Sequence, residues 1–253
     1  MAPKTSMKTE DLDSQPILSS TVEETAMPSP TTELPIDVVS DVVCPWCFIG
    51  KRRLEKAIAL KPEISVAVRY RPYFLNPWVP RAGISRTEYL TTKFGSVERY
   101  KVNAQRIVMA ASQEGLAYNL DAIARQPNTL DCHRLILWSG ESGDPARMKQ
   151  RLMELYFTEG ADLSDKEVLV GAARDCGMDA DSVRQRLAGE EDVESVSAEA
   201  ESAKTAGIDG VPCFILGGIF AVSGAQSPEH LADAIERAAA ERTKREAAEI
   251  EPA

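Results

Sequence analysis

The chain has 253 residues, 43% hydrophobic and 27% charged, which is an ordinary globular composition with ample material for a core. A net charge of −10 argues against a nucleic-acid or anionic-membrane partner, since both recruit basic patches. No apolar run approaches the roughly 18–20 residues that cross a bilayer, and the polar start of the chain lacks the apolar centre of a secretory signal, so a cytoplasmic protein is expected.

Residues 1–33 are rich in Ser, Thr, Pro and Glu without periodicity and read as a disordered tail. The first part of the fold is expected over 34–78. Residues 36–43 form a short apolar run with β-branched members and read as a buried strand. Cys44-Pro45-Trp46-Cys47 follows, then Leu54, Ala57 and Ile58 at helical spacing, and Lys61-Pro62 ends that helix. Residues 64–73 alternate and read as a second strand, so the strand–helix–strand unit should be parallel and right-handed.

A strand-poor region over 79–189 reads as an inserted helical domain. Ser85 and Glu88 form a capping box, Ser96 caps a second helix that ends at Gly115, and a third follows Asn128-Thr129. Asp144-Pro145 starts a fourth, Ser164 with Glu167 a fifth, and Asp179 a short sixth. Over 190–253 the strand signal returns. An acidic, Ala-rich helix ends at Gly207, strands at 211–216 and 219–222 flank the hairpin loop Gly217-Gly218, and Ser227-Pro228 opens a long amphipathic helix. The order is βαβ, helical insertion, αββα.

The Cys-x-x-Cys stretch carries the strongest chemical signal. On the first turn of a helix, positions i and i+3 share a face, so Cys44 and Cys47 can bring their sulfurs to disulfide range. Helix-start amides point at Cys44 and favour its thiolate, the form that attacks disulfides. Pro45 suits a first turn, where its missing N–H costs nothing. The bland alternative is half a zinc site, which needs two more ligands and usually takes them as a second close pair. Cys132, Cys176, Cys213, His133 and His230 are scattered and supply no such pair, so redox chemistry is expected and a metal is not.

The stretch Ser40-Asp41-x-x-Cys44-Pro45-Trp46-Cys47-Phe48-Ile49-Gly50-Lys51-Arg52 has companions in Arg71-Pro72-Tyr73-Phe74-Leu75-Asn76-Pro77, Asn128-Thr129, His133-Arg134-Leu135, Gly210-Val211-Pro212 and Ser223-Gly224-Ala225-Gln226. Together, over about 36–238, they resemble the DsbA family of thioredoxin-fold oxidoreductases, and within it the FrnE-like branch. That branch is related to 2-hydroxychromene-2-carboxylate isomerase and kappa-class glutathione transferase. The resemblance implies an α/β thioredoxin fold interrupted by an all-helical domain. It also implies Cys44 as exposed nucleophile, Cys47 as resolving thiol and Pro212 as a cis-proline facing them. The Val211 backbone would pair with an extended substrate, and Pro45 and Trp46 would form the rim. Asn128 and His133 are further candidates from the matched motifs.

Several residues carry two readings. Cys213, where the family is expected to hold Thr, Phe or a similar residue, is either a third thiol beside the site or a small buried core residue. His133 either assists a proton transfer or makes a structural hydrogen bond. Tyr73, Phe74, Leu75 and Trp78 either line a groove for unfolded polypeptide or fill an interdomain core. The expected function is thiol–disulfide exchange or disulfide isomerisation on a protein or small-molecule substrate, with no cofactor and with glutathione as a candidate co-substrate. The rivals are a glutathione-dependent isomerase or transferase acting on small molecules, and a binding or chaperone module that does not use its thiols.

Overall fold

In the computed structural model, which describes residues 33–250, strand β1 (Leu34–Ser40) lies inside the main sheet. All but the last residue of the tail expected over 1–33 lies outside the described residues. Ile36 and Val38 of β1 pack on one face of the sheet, and Val39 packs on the other. Helix α1 (Pro45–Ala59) carries the chain to β2 (Val66–Pro72), which pairs parallel with β1 from Leu34 opposite Val66 to Ser40 opposite Pro72.

The strand ends at Ser40, short of the apolar run to 43. The reason is local: the Cys44 N–H donates to the Asp41 carbonyl at 3.3 Å, closing a turn that sends Val42 and Val43 into the core shared with the helical block.

That block comprises β3 (Ile84–Ser85), α2 (Arg86–Phe94), α3 (Val97–Gln113), a 3₁₀ turn (Leu120–Ala122), β4 (Arg125–Gln126), α4 (Leu130–Ser142), α5 (Pro145–Phe157), α6 (Lys166–Asp175) and α7 (Ala180–Ala188). Its caps follow the side-chain chemistry. Ser85 accepts from the Glu88 N–H, Ser96 from Arg99, Asp144 from Arg147 and Asp179 from Ser182. The cap expected at Ser164 is displaced by one residue. The Ser164 hydroxyl is taken by the Asp162 carboxylate, so Asp165 caps α6 and accepts from the Glu167 N–H at 2.9 Å. The block is also not purely helical, because β3 and β4 pair over two residues each.

Helix α8 (Val193–Thr205) leads back to β5 (Cys213–Leu216), β6 (Phe220–Ser223) and α9 (Pro228–Ile250). The sheet order is β2-β1-β5-β6, with β5 antiparallel to β1 and β6 antiparallel to β5. The hairpin loop is one residue longer than expected, Gly217, Gly218 and Ile219 between Leu216 and its partner Phe220, and the two glycines take φ of 62° and 70°, left-handed values open to glycine. Leu54 and Ala57 of α1 join Leu231, Ile235 and Ala238 of α9 over Ile36, Val38, Phe214 and Leu216. Burying each larger side chain there contributes about 1.5–3 kcal/mol. Among the described residues no helix is long and apolar enough to cross a membrane.

Candidate active site

Cys44 is the N-cap of α1, and Pro45 occupies the first turn. The Cys47 N–H donates to the Cys44 carbonyl at 3.0 Å, so the helical turn holds both sulfurs on one face, close enough for Cys44 to act on the Cys47 thiol. Across from them the Val211–Pro212 peptide is cis. The Val211 carbonyl accepts a hydrogen bond from Cys44 Sγ at 3.6 Å. The Pro212 ring packs against Gly50 of α1. A Cβ placed on Gly50 would stand 2.8 Å from Pro212 Cγ, so the glycine sets how closely this loop approaches the helix. Tyr118 fixes the turn from the other side by donating to the Pro45 carbonyl at 2.8 Å. Its ring stacks on Phe157 and Phe48.

The exposed nucleophile that the resemblance implied needs correction, because only 3% of Cys44 is exposed. What reaches it is a cavity of about 420 Å³. Cys44, Pro45, Trp46, Val43, Gly210 and Val211 form one wall, and Arg86, Tyr89, Lys93, Phe94, Tyr100 and Arg106 of the helical block form the other. Trp46 stands at the rim, 38% exposed.

Behind the thiols lies a buried set of charges that sequence reasoning missed. Asp41 is fully buried; its carboxylate accepts the Leu75 N–H at 2.8 Å and lies 3.3 Å from His133 Nε2. Lys149 of α5 is also fully buried, with Nζ 3.4 Å from the Ser40 carbonyl and over the Tyr70 ring. Burial brings its ammonium down to about 8, against the pull of Cys47 and Asp41. Burial pushes the Cys47 thiol well above its ordinary value, neighbouring Cys44 adds to this, and Lys149 acts in the opposite direction. Burial also holds the His133 imidazole below its usual range, with Asp41 opposing.

The remaining candidates stand apart from the sulfurs. Asn128 works at the start of α4, where its side-chain oxygen accepts the Leu130 N–H at 3.0 Å and its amide donates to the Val79 carbonyl at 2.8 Å. Cys213 packs with Val39 and Tyr73 in a cluster separate from that of Cys44 and Cys47. Burial raises its pKa and a hydrogen bond to Ser223 opposes this. The aromatic stretch divides: Tyr73 is buried, Phe74 meets His133 edge-on, Leu75 lines the cavity, and Trp78 is exposed and stacked on Tyr89. His133 faces Asp41 and is absent from the cavity wall.

Asp41 had a readable signal, as a carboxylate set in the apolar run before Cys44. Lys149 had one too, since it shares the α5 stripe of Leu152, Met153 and Tyr156 at i+3, i+4 and i+7.

A family model described as a DSBA-like thioredoxin domain matches residues 35–236. The chain belongs to that family. This fits the FrnE-like motifs. The structure of the probable DsbA oxidoreductase SCO1869 from Streptomyces coelicolor is 32% identical with a TM-score of 0.75, covering 81% of this chain and 90% of that one. The structure of 2-hydroxychromene-2-carboxylate isomerase is 16% identical with a TM-score of 0.61, covering 86% and 100%, a likeness of fold. The uncharacterized protein YwbO of Bacillus subtilis is 27% identical over 184 residues, 72% of this chain and 86% of its own.

Proposed function

We propose that the protein is a thiol–disulfide oxidoreductase working through Cys44 and Cys47, with no bound cofactor because the electrons pass between sulfurs. A cytoplasmic setting, in which a Cys-x-x-Cys pair is redox-active rather than a structural disulfide, is part of this reading. The observation that supports it most is the pair of thiols on the first turn of α1, with a cavity opening onto Cys44.

In the cycle, the Cys44 thiolate attacks a substrate disulfide, and one substrate thiolate leaves and takes a proton. Cys47 then loses its proton and displaces the second substrate sulfur as the Cys44–Cys47 bond forms. The reverse sequence oxidises a substrate dithiol. Part of what raises Cys47 is Cys44 itself, so the mixed disulfide, which removes charge from Cys44, eases deprotonation of Cys47. Buried Lys149 supplies positive charge toward the thiolate that results. Trp46 at the rim and the Val211 backbone would hold the substrate.

Cys44→Ser is expected to abolish insulin reduction and the refolding of a scrambled disulfide substrate. A Cys44→Ser protein with full exchange activity overturns the mechanism. Glutathione enters as a candidate co-substrate. If glutathione-dependent turnover of a small molecule survived Cys47→Ser, the isomerase or transferase reading would replace this one.

A further inference from the structure

In a chain of net charge −10, the cavity beside Cys44 is lined by Arg86, Lys93 and Arg106 and by no carboxylate. Among the described residues none of the three forms an ion pair. Arg86 spends its terminal nitrogens on neutral oxygens, at 3.0 Å from Gln126 Oε1, 3.2 Å from the Tyr156 hydroxyl and 2.9 Å from the Tyr100 hydroxyl. Its Nε is buried without a partner. Lys93 donates to Asn76 Oδ1 at 2.5 Å, and Arg106 is exposed at the mouth. The aromatic rings of Tyr89 and Tyr100 flank the Arg86 guanidinium, each 5.1 Å away, which shields it from water without neutralising it.

Cations left unpaired in a concave, partly desolvated wall favour a negatively charged occupant. The cavity, at about 420 Å³, has small-molecule size. We propose, on the reading that Cys44 exchanges disulfides, that the substrate is a small-molecule disulfide carrying carboxylates, which Arg86, Lys93 and Arg106 of the helical block recognise while Cys44 attacks its sulfur. In that step the Cys44–S bond forms and the substrate S–S bond breaks. The carboxylate-bearing thiolate departs and is protonated, and Cys47 then releases the second thiol as the Cys44–Cys47 disulfide closes. One disulfide is thereby reduced to two thiols for one dithiol oxidised.

A competing role for these cations is to stabilise the Cys44 thiolate, since Lys93 lies close enough for their charges to interact. The two roles separate by substrate charge. Thiolate stabilisation acts alike on every disulfide, whereas recognition acts on anionic ones alone. The test is single-turnover oxidation of the reduced full chain by 3,3′-dithiodipropionic acid (a dianion), 2-hydroxyethyl disulfide (neutral) and cystamine (a dication). Each rate is normalised to that disulfide's reaction with dithiothreitol.

The dianion is expected to react fastest and cystamine slowest, and added salt should compress the difference. Arg106→Gln should cut the dianion-to-neutral ratio roughly threefold to tenfold, the scale of one unit charge at close range in water. Lys93→Gln should act in the same direction. Equal normalised rates for all three, or variants that change all three alike, overturn anion recognition and leave the exchange reading standing. Reaction with none of them, in a protein whose Cys44 still alkylates, overturns both.

Discussion

Lys149 is the residue whose position demands most from its surroundings. An ammonium fully removed from water persists only beside compensating charge, and here the Asp41 carboxylate supplies it. Replacing it tests that account. Lys149→Met removes the positive charge that now lowers both Cys47 and His133, so both groups should titrate higher than before. Thiolate absorbance of Cys47 against pH, measured with and without Lys149→Met in a Cys44→Ala background, checks the first. The His133 ring resonance checks the second. A Cys47 titration that does not move would remove Lys149 from the site's electrostatics.

His133 gives a pH prediction with a definite sign. Its folded pKa is depressed, so below its unfolded value of about 6.5 the unfolded chain binds a proton that the native state resists. The stability it contributes is complete above that value and is lost as pH falls through the folded pKa. Urea midpoints measured from pH 7 downward should therefore decline less steeply in His133→Gln than in the parent. An unchanged slope would contradict the burial of a neutral imidazole.

The site also rests on the close approach of α1 to the loop before β5. Gly50→Ala places a methyl 2.8 Å from Pro212 and 3.2 Å from Phe214, an overpacking that costs roughly 1–3 kcal/mol and outweighs the about 1 kcal/mol gained in helix propensity. Gly171→Ala, in α6 with nothing within 4 Å of the new Cβ, receives only that gain. The two helix glycines should thus shift the denaturant midpoint in opposite directions, and a stabilised Gly50→Ala would disprove the contact.

Arg134 plays a related part between elements. It is fully buried and donates to the carbonyls of Arg186, Gly189 and Glu191, tying α4 to the end of α7, while its NH1 pairs with Asp131 at 2.7 Å. Arg134→Leu leaves those carbonyls without their donor and should cost roughly 3–5 kcal/mol in a denaturant titration. A loss below about 1 kcal/mol, the range of an exposed pair, would mean that the tie is not structural.

At the scale of the molecule, the parts legible in the sequence were those set by local chemistry. The thiols on a helix start, the paired glycines of the hairpin and the Ser and Asp caps each depend on a few neighbouring residues. What was not legible depends on how distant segments meet. Arg86, Lys93 and Arg106 lie on two helices, and nothing in their spacing announces that they converge on Cys44. Asp41 and Lys149 read singly as anomalies in apolar stripes, and their burial together required the packing of α5 against the end of β1. The resemblance implied an exposed Cys44, but access comes through a cavity whose second wall the helical block supplies. Cys213 entered as a third thiol or a core residue, and its neighbours are those of a core residue.

The central claim is that Cys44 and Cys47 form one dithiol–disulfide couple. The full chain, equilibrated across graded ratios of glutathione and glutathione disulfide, acid-quenched, alkylated and peptide-mapped, tests it directly. The account predicts a single two-electron transition in which both cysteines leave the alkylated pool together and appear as one linked peptide. If both stay alkylatable at every ratio, or if Cys44 is found joined only to glutathione while Cys47 remains free, the couple does not exist and the proposed function falls.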